Sequence, residues 1–366
     1  MKIVYLSQAR LPTRNAHGFQ IMNTCSSLSK EKIEVLLLVP QRKNVVKDSP
    51  FDFYHLPRSF NIKKLPVIDL YPLRFIPESV SGFFSSISFL VSARLYLFFF
   101  HYDILFTRED LSRFFFKNYV YEIHMPEQLK FGGFKPKKII VISNHIKSVL
   151  LKKGFKEKDI LVSPDAVNLS MFQNLDKLEA RRRLNLPKDK KIVMYWGNFK
   201  AWKGIDTLAE SVKYMRNYFI VMIGGTKDTD IARIRKMVTG ENNVLVEGFK
   251  DQELLPTYLA SADVLVLPNT AKDENSRLFT SPLKLFEYMA SRRPIVASNV
   301  PALREILNDS NAMFFNPDDP KNLARTVELT LQDNLRAQNV ANQAFKDVER
   351  YTWDKRAKAI IEFLNK

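Results

Sequence analysis

The fold is decided by residues 278–307, which read LFTSPLKLFEYMASRRPIVASNVPALREIL. The hydroxyl of Ser281 can cap a helix, and Pro282 suits the first helical position because its missing N–H is not needed there. Apolar residues then recur at helical spacing, which predicts a helix that begins at Ser281 or Pro282. Residues 294–298 predict a short buried strand. A loop, a capped helix and a strand in this order are typical of the carboxyl edge of an open α/β sheet, where ligands bind.

The start of this helix can hold an anion beside a sugar. Free backbone N–H groups and the helix dipole favour a phosphate there, and Lys284 adds a full positive charge in the first turn. Glu287 lies about one turn beyond Leu283, so its carboxylate can face the same cleft and accept hydrogen bonds from sugar hydroxyls. A capped surface helix with a solvated Glu287 explains the spacing equally well.

Short apolar runs alternate with helical stretches on both sides of the chain's middle, which predicts two parallel sheets covered by helices. We predict an N-terminal domain over residues 1–170 and a C-terminal domain over residues 171–350. Residues 351–366 have helical spacing and are predicted to cross back to the first domain. The predicted strands are residues 2–7, 33–40, 103–108, 119–124 and 137–143 in the first domain, and 191–197, 218–225, 244–248, 262–268, 294–298 and 312–316 in the second.

Composition indicates a two-domain protein of a reducing compartment. A chain of 366 residues exceeds what one hydrophobic core usually serves. The single cysteine, Cys25, can form no internal disulfide, and the chain opens with a strand pattern instead of a secretion signal, so we expect a cytoplasmic protein. The formal charge is +17, and residues 1–170 hold 25 Lys or Arg against 14 Asp or Glu, a net of +11. The first half therefore favours anionic partners.

The run SPLKLFEYMAS followed by PIVAS resembles the donor segment of glycosyltransferase family 4, whose members have the GT-B fold and use nucleotide-activated sugars. The resemblance implies an α/β protein with two Rossmann-like domains that face each other across a cleft. It also implies donor contacts from Thr280, Ser281, Pro282, Leu283 and Glu287. The family often has two glutamates in this segment, and here Phe279 occupies the position of the first. The nucleotide half of the site is therefore predicted more firmly than the sugar half.

Other parts of the second half continue the resemblance. In YWGNFKAWKG, the residues Gly197, Asn198 and Lys203 correspond to the family's phosphate-binding loop, and Asn198 stands where an arginine is common. Lys200 is a candidate to supply that missing charge. In VLVEGF, the backbone near Gly248 and Phe249 corresponds to the base-binding turn. Taken singly, each lysine of so basic a chain is also explained as a solvated surface residue.

Two positions in the first half are implicated by the same resemblance. Gly18 lies in the loop that faces the donor diphosphate and the acceptor in the family, although a plain turn before a helix over residues 19–29 fits as well. His124 matches a histidine that lies against the donor sugar, with a role in hydrogen bonding or charge stabilisation. No G-x-G-x-x-G or P-loop motif and no metal-ligand spacing occur in the sequence, so we expect neither a dinucleotide cofactor nor a metal.

Residues 83–100 are aromatic and almost long enough to span a bilayer, but four serines and Arg94 interrupt them. A buried helix of the first domain is one interpretation, and contact of an aromatic face with a membrane surface is the other. Four nearby basic residues favour the second: Arg58, Lys63, Lys64 and Arg74.

The leading interpretation is a retaining glycosyltransferase that moves a sugar from a nucleoside diphosphate sugar to a sugar, glycan or lipid-linked acceptor, in the assembly of cell-surface polysaccharide, lipopolysaccharide or glycolipid. In it, His124, Lys203 and Lys284 act on the reacting centre, and the nucleoside diphosphate sugar is a co-substrate, so no cofactor is needed. An anionic membrane surface at the inner face of the membrane is a further partner. The alternatives are a nucleotide-sugar epimerase or hydrolase on the same fold, and a nucleic-acid or membrane-binding protein. Basic residues scattered over two α/β domains, with no nucleic-acid motif, argue against nucleic acid.

Overall fold

In the computed structural model, which describes residues 1–71, 75–125, 132–172 and 175–366, the chain divides into two compact units. The first unit comprises Met1–Pro164 and Trp353–Lys366, and the second comprises Asp165–Thr352. The sequence-based division at residues 170 and 350 lies a few residues from these boundaries. Arg74, one of the basic residues considered above, lies outside the described residues.

The first unit contains a seven-stranded parallel sheet. Its strand order is β3-β2-β1-β4-β5-β6-β7, so the order reverses between β1 and β4. Loops at the carboxyl ends of these two strands flank a crevice, which is where open α/β sheets bind ligands. The strands are β1 Lys2–Leu6, β2 Glu34–Pro40, β3 Asn61–Leu65, β4 Ile104–Thr107, β5 Tyr119–Ile123, β6 Lys138–Val141 and β7 Ile160–Val162.

Among the described residues of this unit, five α-helices connect or cover the sheet. The last of them, at the C-terminus of the chain, packs on α1, where Lys30 forms a salt bridge of 2.9 Å with Asp354 and Ser27 donates a hydrogen bond of 2.8 Å to the same carboxylate. The helices are α1 Ala16–Lys30, α2 Pro50–Phe53, α3 Glu78–Phe98, α4 Asn144–Lys152 and α13 Trp353–Leu364.

The second unit contains a six-stranded parallel sheet of the same design. Its order is β10-β9-β8-β11-β12-β13, and it reverses between β8 and β11. The central strands are buried on both faces, which explains their nearly unbroken apolar sequences. The strands are β8 Ile192–Gly197, β9 Phe219–Gly224, β10 Val244–Glu247, β11 Val264–Leu267, β12 Ile295–Ser298 and β13 Met313–Phe315.

In the described part of the second unit, eight α-helices surround its sheet. The amphipathic helix α9 packs its apolar face on the sheet, with Leu285, Phe286 and Met289 at most 1% exposed. The helices are α5 Lys177–Arg183, α6 Ile205–Ser211, α7 Asp228–Met237, α8 Leu255–Ser261, α9 Leu283–Ala290, α10 Pro301–Arg304, α11 Pro320–Gln332 and α12 Asn334–Val348.

The two parallel sheets confirm the predicted α/β class, although two strands of the first sheet are absent from the sequence-based prediction. β3 reads NIKKL and lies at the edge of the sheet, so its exposed lysines interrupt the apolar pattern. β7 has only three residues and occupies the other edge. Edge strands carry weak apolar signals because one side of the strand faces solvent.

The long helix α3 is buried on one side only. Phe89, Leu90, Ala93 and Leu97 pack into the first unit. Among the described residues, α3 alone is long and apolar enough to cross a membrane, and 33% of its most apolar window is buried.

The buried ion pair between Arg181 on α5 and Asp263 before β11 should dominate the electrostatic stability of the second unit. Arg181 is 3% exposed and also donates to the carbonyl oxygens of Ser261 and Lys190. We expect Arg181→Met to lower the free energy of unfolding by about 3 kcal/mol, because Asp263 then stays buried without this partner. Urea unfolding of the intact chain measures this change.

The matched control is Arg183→Met on the same helix, which removes an exposed pair with Glu179. It should cost much less than Arg181→Met, because solvent screens an exposed pair. Equal losses for the two variants would contradict the assignment of the stabilisation to the buried pair.

Candidate functional site

The site of the second unit is built from the two loops at the strand-order reversal. The loop after β8 carries Gly197, Asn198 and Lys203, and the loop after β11 leads into α9. The hydroxyl of Tyr288 on α9 accepts the backbone N–H of Trp196, the residue before Gly197, at 2.8 Å. The start of α9 is thereby fixed to the end of β8.

The beginning of α9 differs from the prediction. The helix begins at Leu283, and Pro282 is its extended N-cap residue, with ψ of 129° and no side-chain capping bond. The prediction that Ser281 caps the helix is wrong, because its hydroxyl accepts the backbone N–H of Asp165 at 3.2 Å instead. The partner of Ser281 is 116 residues away, so local spacing could not reveal it.

Lys284 is a buried cation at this helix start. Its side chain is 7% exposed, and Nζ donates a hydrogen bond of 2.7 Å to the hydroxyl of Tyr195, which in turn donates to the carbonyl oxygen of Asn198 at 2.7 Å. Burial, reinforced by the charge of Lys203, holds the pKa of Lys284 well below its ordinary value. Lys284 therefore anchors the loop after β8 as well as contributing charge.

Lys203 brings a second cation to the same place. It ends a short 3₁₀ helix, Ala201–Lys203, and its ammonium lies 3.7 Å from the centre of the Trp202 ring. Burial lowers the pKa of Lys203 to about 8, against an opposing effect from the charge of Asp165. Among the described residues, neither Lys203 nor Lys284 forms a salt bridge, although the charges of Asp165 and Asp273 act on Lys203 and that of Glu287 acts on Lys284.

Glycines let the two loops approach each other. A Cβ on Gly197 would lie 3.0 Å from Nζ of Lys284. Gly204 has a φ of 76°, and a Cβ there would lie 1.8 Å from the carbonyl oxygen of Pro268 in the loop after β11. The backbone at Gly204, directly after Lys203, is therefore packed against the loop that leads to α9, and Gly197 leaves room for the ammonium group of Lys284.

Glu287 faces the lysines from the next turn of α9. Its Oε1 accepts a hydrogen bond of 2.8 Å from the side-chain amide of Gln252. Burial raises the pKa of Glu287 to about 7, although Gln252 and Lys284 act in the opposite direction. The structure thus joins Gln252 and Asp165 to the predicted residues. Neither belongs to a motif that sequence reasoning could have used.

The remaining predicted residues occupy different positions around this centre. The Oδ1 atom of Asn198 accepts the backbone N–H of Lys200 at 3.0 Å, so it holds the turn that precedes the short helix carrying Lys203. Gly248 and Phe249 follow β10, two strands from β8 in the sheet. Thr280 is extended and half-buried between the π-helical turn Asn275–Phe279 and α9.

Phe279, which stands in place of the first glutamate, is 7% exposed and packs inside the second unit. In the same loop, Oδ1 of Asp273 accepts the backbone N–H of Ser276 at 2.9 Å. The charge of Asp273 also raises the pKa of Lys203. A buried phenyl ring cannot accept sugar hydroxyls, so position 279 has a packing role here.

In the first unit, Gly18 does not lie in a loop. It belongs to the first turn of α1, which begins at Ala16, so the placement of Gly18 before a helix over residues 19–29 is wrong. A Cβ on Gly18 would lie 2.1 Å from the hydroxyl of Tyr54, which donates to the carbonyl oxygen of Thr13 at 2.9 Å. Close packing against Tyr54 therefore explains the glycine.

His124 lies directly after β5 and shares a buried carboxylate. Its Nε2 is 3.0 Å from Oε1 of Glu122, and its side chain is 16% exposed. Burial and the charge of Arg108 lower the pKa of His124 to about 4. Burial acts to raise the pKa of Glu122, but Arg356 and Arg108 hold it well below its ordinary value. At neutral pH the imidazole is uncharged, which suits hydrogen bonding.

Among the residues that the structure describes, no group of three or more His, Cys, Asp or Glu side chains could hold a metal ion. The positive charge of the second unit's site is supplied by lysines and the start of α9. Such an arrangement favours a phosphate-bearing ligand.

Residues 190–333 match the family model described as glycosyl transferases group 1. Over 201 residues, the chain is 27% identical to an uncharacterised glycosyltransferase of Methanocaldococcus jannaschii, covering 53% of this chain and 49% of that protein. The chain spans about half the length of the curated relatives it matches. The match confirms the resemblance in the half of the chain that carries the lysines.

Solved structures share the fold over the whole chain. Sucrose-phosphate synthase from Thermosynechococcus elongatus has a TM-score of 0.80 at 20% identity, covering 100% of this chain and 98% of that one. Anabaena HepE, solved in complex with UDP-glucose, has a TM-score of 0.75 at 16% identity, covering 100% and 99%. The predicted GT-B class, with two Rossmann-like domains, is confirmed. None of these proteins is named an epimerase or a hydrolase.

Because Gly204 lies so close to the carbonyl oxygen of Pro268, adding one methyl group there should lower the free energy of unfolding more than adding one at a glycine with open space around it. We expect Gly204→Ala to destabilise the protein by about 3 kcal/mol or more, because it adds a clash with the Pro268 carbonyl to the cost of a left-handed backbone. Gly240→Ala is the matched control, since Gly240 has a φ of 88° and no atom within 4 Å of the added Cβ. That variant should cost only about 1 kcal/mol. Thermal and urea unfolding compare the two, and similar losses would refute the close approach.

Proposed function

We propose that this chain, whose residues 190–333 belong to the group 1 glycosyl transferases, transfers a sugar from a nucleoside diphosphate sugar to an acceptor hydroxyl. The observation that carries the proposal is the convergence of Lys203 and Lys284 near the start of α9, within one turn of Glu287 and with no salt bridge to any described carboxylate. A diphosphate would form charge-assisted hydrogen bonds with both lysines.

The second unit is proposed to hold the donor. Lys203, Lys284 and the backbone N–H groups at the start of α9 bind the diphosphate, while Glu287 accepts hydrogen bonds from the ribose hydroxyls. Gln252 holds the Glu287 carboxylate in place through its amide. Recognition of the base is proposed for the backbone at Gly248 and Phe249. The complex of HepE with UDP-glucose supports a donor of this class.

In the proposed reaction, the bond between the anomeric carbon and the β-phosphate oxygen breaks, and the diphosphate departs with the electron pair. The acceptor oxygen forms the new bond on the same face, and its proton passes to an oxygen of the leaving diphosphate. Retention of configuration follows from this geometry and is implied by the family resemblance. The lysines stabilise the charge that builds on the leaving group. His124 is proposed to accept or donate a hydrogen bond at the sugar.

The acceptor side is proposed to meet an anionic membrane surface at its cytoplasmic face. Residues Val80, Phe83, Phe84, Leu95 and Phe98 project from α3 on one face, and each is at least 40% exposed. Their helical spacing places them within about 120° around the helix axis, opposite the buried face.

Basic residues border this aromatic face. Arg94 lies on the exposed side of α3, and Lys63 and Lys64 are exposed on β3, against which α3 packs. Exposed aromatic groups flanked by cations favour the interface of an anionic bilayer. A lipid-linked acceptor would be presented at such a surface, which supports a role in the assembly of cell-surface glycans.

The proposed activity is tested by a thermal-shift screen with UDP-, GDP- and ADP-sugars, followed by product analysis. A ligand that binds only the folded state raises the melting temperature. The donor so identified is then incubated with and without sugar and lipid-linked acceptors. A new glycosidic bond, formed only with acceptor and with retained configuration by NMR, supports the proposal. A donor that changes without acceptor, by epimerisation or hydrolysis, contradicts it.

Donor affinity should be highest between pH 7 and 8, because it depends on the ionisation of both Glu287 and Lys203. Glu287 is protonated below its pKa of about 7, so affinity should rise with pH until its carboxylate forms. Lys203 loses its charge above its pKa of about 8, so affinity should then fall. Each limb should change affinity by at most about tenfold per pH unit, as for one coupled proton. Calorimetry with the nucleoside diphosphate found in the screen measures this profile.

Variants assign the two limbs of that profile. Glu287→Gln should remove the rise below pH 7, and Lys203→Met should weaken binding and flatten the fall above pH 8. Lys236→Met, which removes an exposed lysine on α7, is the matched control and should leave the profile unchanged. A profile that Glu287→Gln leaves intact would exclude Glu287 from the donor site.

Membrane contact is tested by flotation with vesicles that contain anionic phosphatidylglycerol. The protein should float at low salt and less at about 0.5 M salt, since salt screens surface charge. The double variant Phe83→Ser, Phe98→Ser should remain at the bottom of the gradient. Leu329→Ser with Leu335→Ser removes two exposed leucines of the second unit and is expected to float normally. Failure of the unaltered protein to float, or normal flotation of the α3 variant, would contradict the proposal.

A further inference from the structure

The C-terminal helix α13 places an arginine inside the first unit. Arg356 is 6% exposed, and Glu122, at the end of β5, is 2% exposed. We propose that Arg356 is a positioning residue for His124, on which it acts through the carboxylate of Glu122. The importance of His124 for sugar transfer rests on the proposed function, whereas the orientation of its ring does not.

A single carboxylate oxygen joins the arginine and the histidine. Oε1 of Glu122 accepts a hydrogen bond of 2.7 Å from Nη2 of Arg356 and lies 3.0 Å from Nε2 of His124. Oε2 of the same carboxylate accepts the hydroxyl of Tyr5 at 3.1 Å. Both oxygens of Glu122 are therefore held, and the carboxylate cannot rotate away from His124 without losing buried hydrogen bonds.

The guanidinium of Arg356 is itself fixed from two other directions. Its Nη1 donates to the hydroxyl of Thr24 on α1 at 3.3 Å, and its Nε donates to the carbonyl oxygen of Pro164 at 3.0 Å. A planar fork with three anchored nitrogens sets the direction of the bond to Glu122. A lysine at position 356 could supply the charge but not these three directions.

The charges around Glu122 decide which form of the imidazole is present. Arg356 from α13 and Arg108 after β4 keep the carboxylate ionised, while Tyr5 on β1 and Cys25 on α1 face it as neutral groups. An ionised carboxylate beside Nε2 fixes the proton of a neutral imidazole on that nitrogen, which makes Nδ1 the acceptor nitrogen. The tautomer of His124 is thus set by a residue 232 positions later in the sequence.

The competing explanation is that the Arg356 ion pair only holds α13 on the first unit. Nitrogen-15 and proton NMR of the histidine rings separates the two explanations, because it reports tautomer and titration of His124 directly. The chain has five histidines, and the resonance lost in His124→Gln identifies the one required. The measurement uses the full chain and needs neither donor nor acceptor.

We expect His124 of the unaltered protein to show the Nε2-protonated tautomer and to titrate near pH 4. Arg356→Met should raise its pKa by about one pH unit or more, because a nearby cation is lost and Glu122 can share a proton with the ring. Glu122→Gln should give a mixture of tautomers. Arg356→Lys should keep the titration closer to that of the unaltered protein, and this variant retains a charge if Arg356→Met fails to fold.

Ile360→Ala is the matched control, since Ile360 is fully buried on the same helix but carries no charge. It should lower the melting temperature without changing the His124 resonances. If Arg356→Met leaves the tautomer and titration of His124 unchanged, the positioning role is overturned. Where Arg356→Met does not fold, an unchanged tautomer and titration in Glu122→Gln overturn it. That result would not contradict the proposed transferase activity. Conversely, a lack of transferase activity would not contradict the positioning of His124 seen by NMR.

Discussion

The ammonium groups of Lys203 and Lys284 lie at the carboxyl edge of the second sheet, where no carboxylate of the described residues forms a salt bridge with them, and the surrounding structure accommodates this charge. Burial lowers the pKa of Lys203 to about 8, and burial together with the charge of Lys203 lowers that of Lys284. Gly197 and Gly204 allow the backbone to close around the pair. An anion with two phosphate groups would stabilise the two ammonium groups, as water stabilises the ammonium group of a lysine on the surface.

Burial of ionisable groups at this site also lowers the stability of the unliganded protein. A carboxyl group whose pKa is raised from its ordinary value to about 7 destabilises the unliganded fold progressively as pH rises from about 4.5 to 7. Glu287 is such a group, and its carboxylate accepts a hydrogen bond from the neutral amide of Gln252. The first unit shows the opposite case, because Glu122 is buried but has Arg356 beside it. A balanced buried pair holds structure, whereas an unbalanced cluster is suited to a ligand.

The long aromatic helix α3 illustrates how one segment can satisfy two environments. Phe89 and Leu90 are fully buried in the first unit, while Phe83 and Phe98 are 56% and 74% exposed. The two interpretations of residues 83–100 in the sequence, a core helix and a membrane-facing helix, therefore describe opposite faces of one element. The exposed face would be costly in water unless a partner covers it.

Local sequence determined the two α/β units, the central strands of both sheets, and the presence of Lys284 and Glu287 in the first turns of a helix. These features follow from apolar periodicity and from residues within a few positions of one another. Tertiary structure alone decided that Ser281 binds Asp165, that Gly18 packs on Tyr54 inside a helix, and that Arg356 reaches Glu122. The physical reason is sequence distance: short-range patterns report how a segment folds, but the partner of a buried polar group is chosen only when segments pack together.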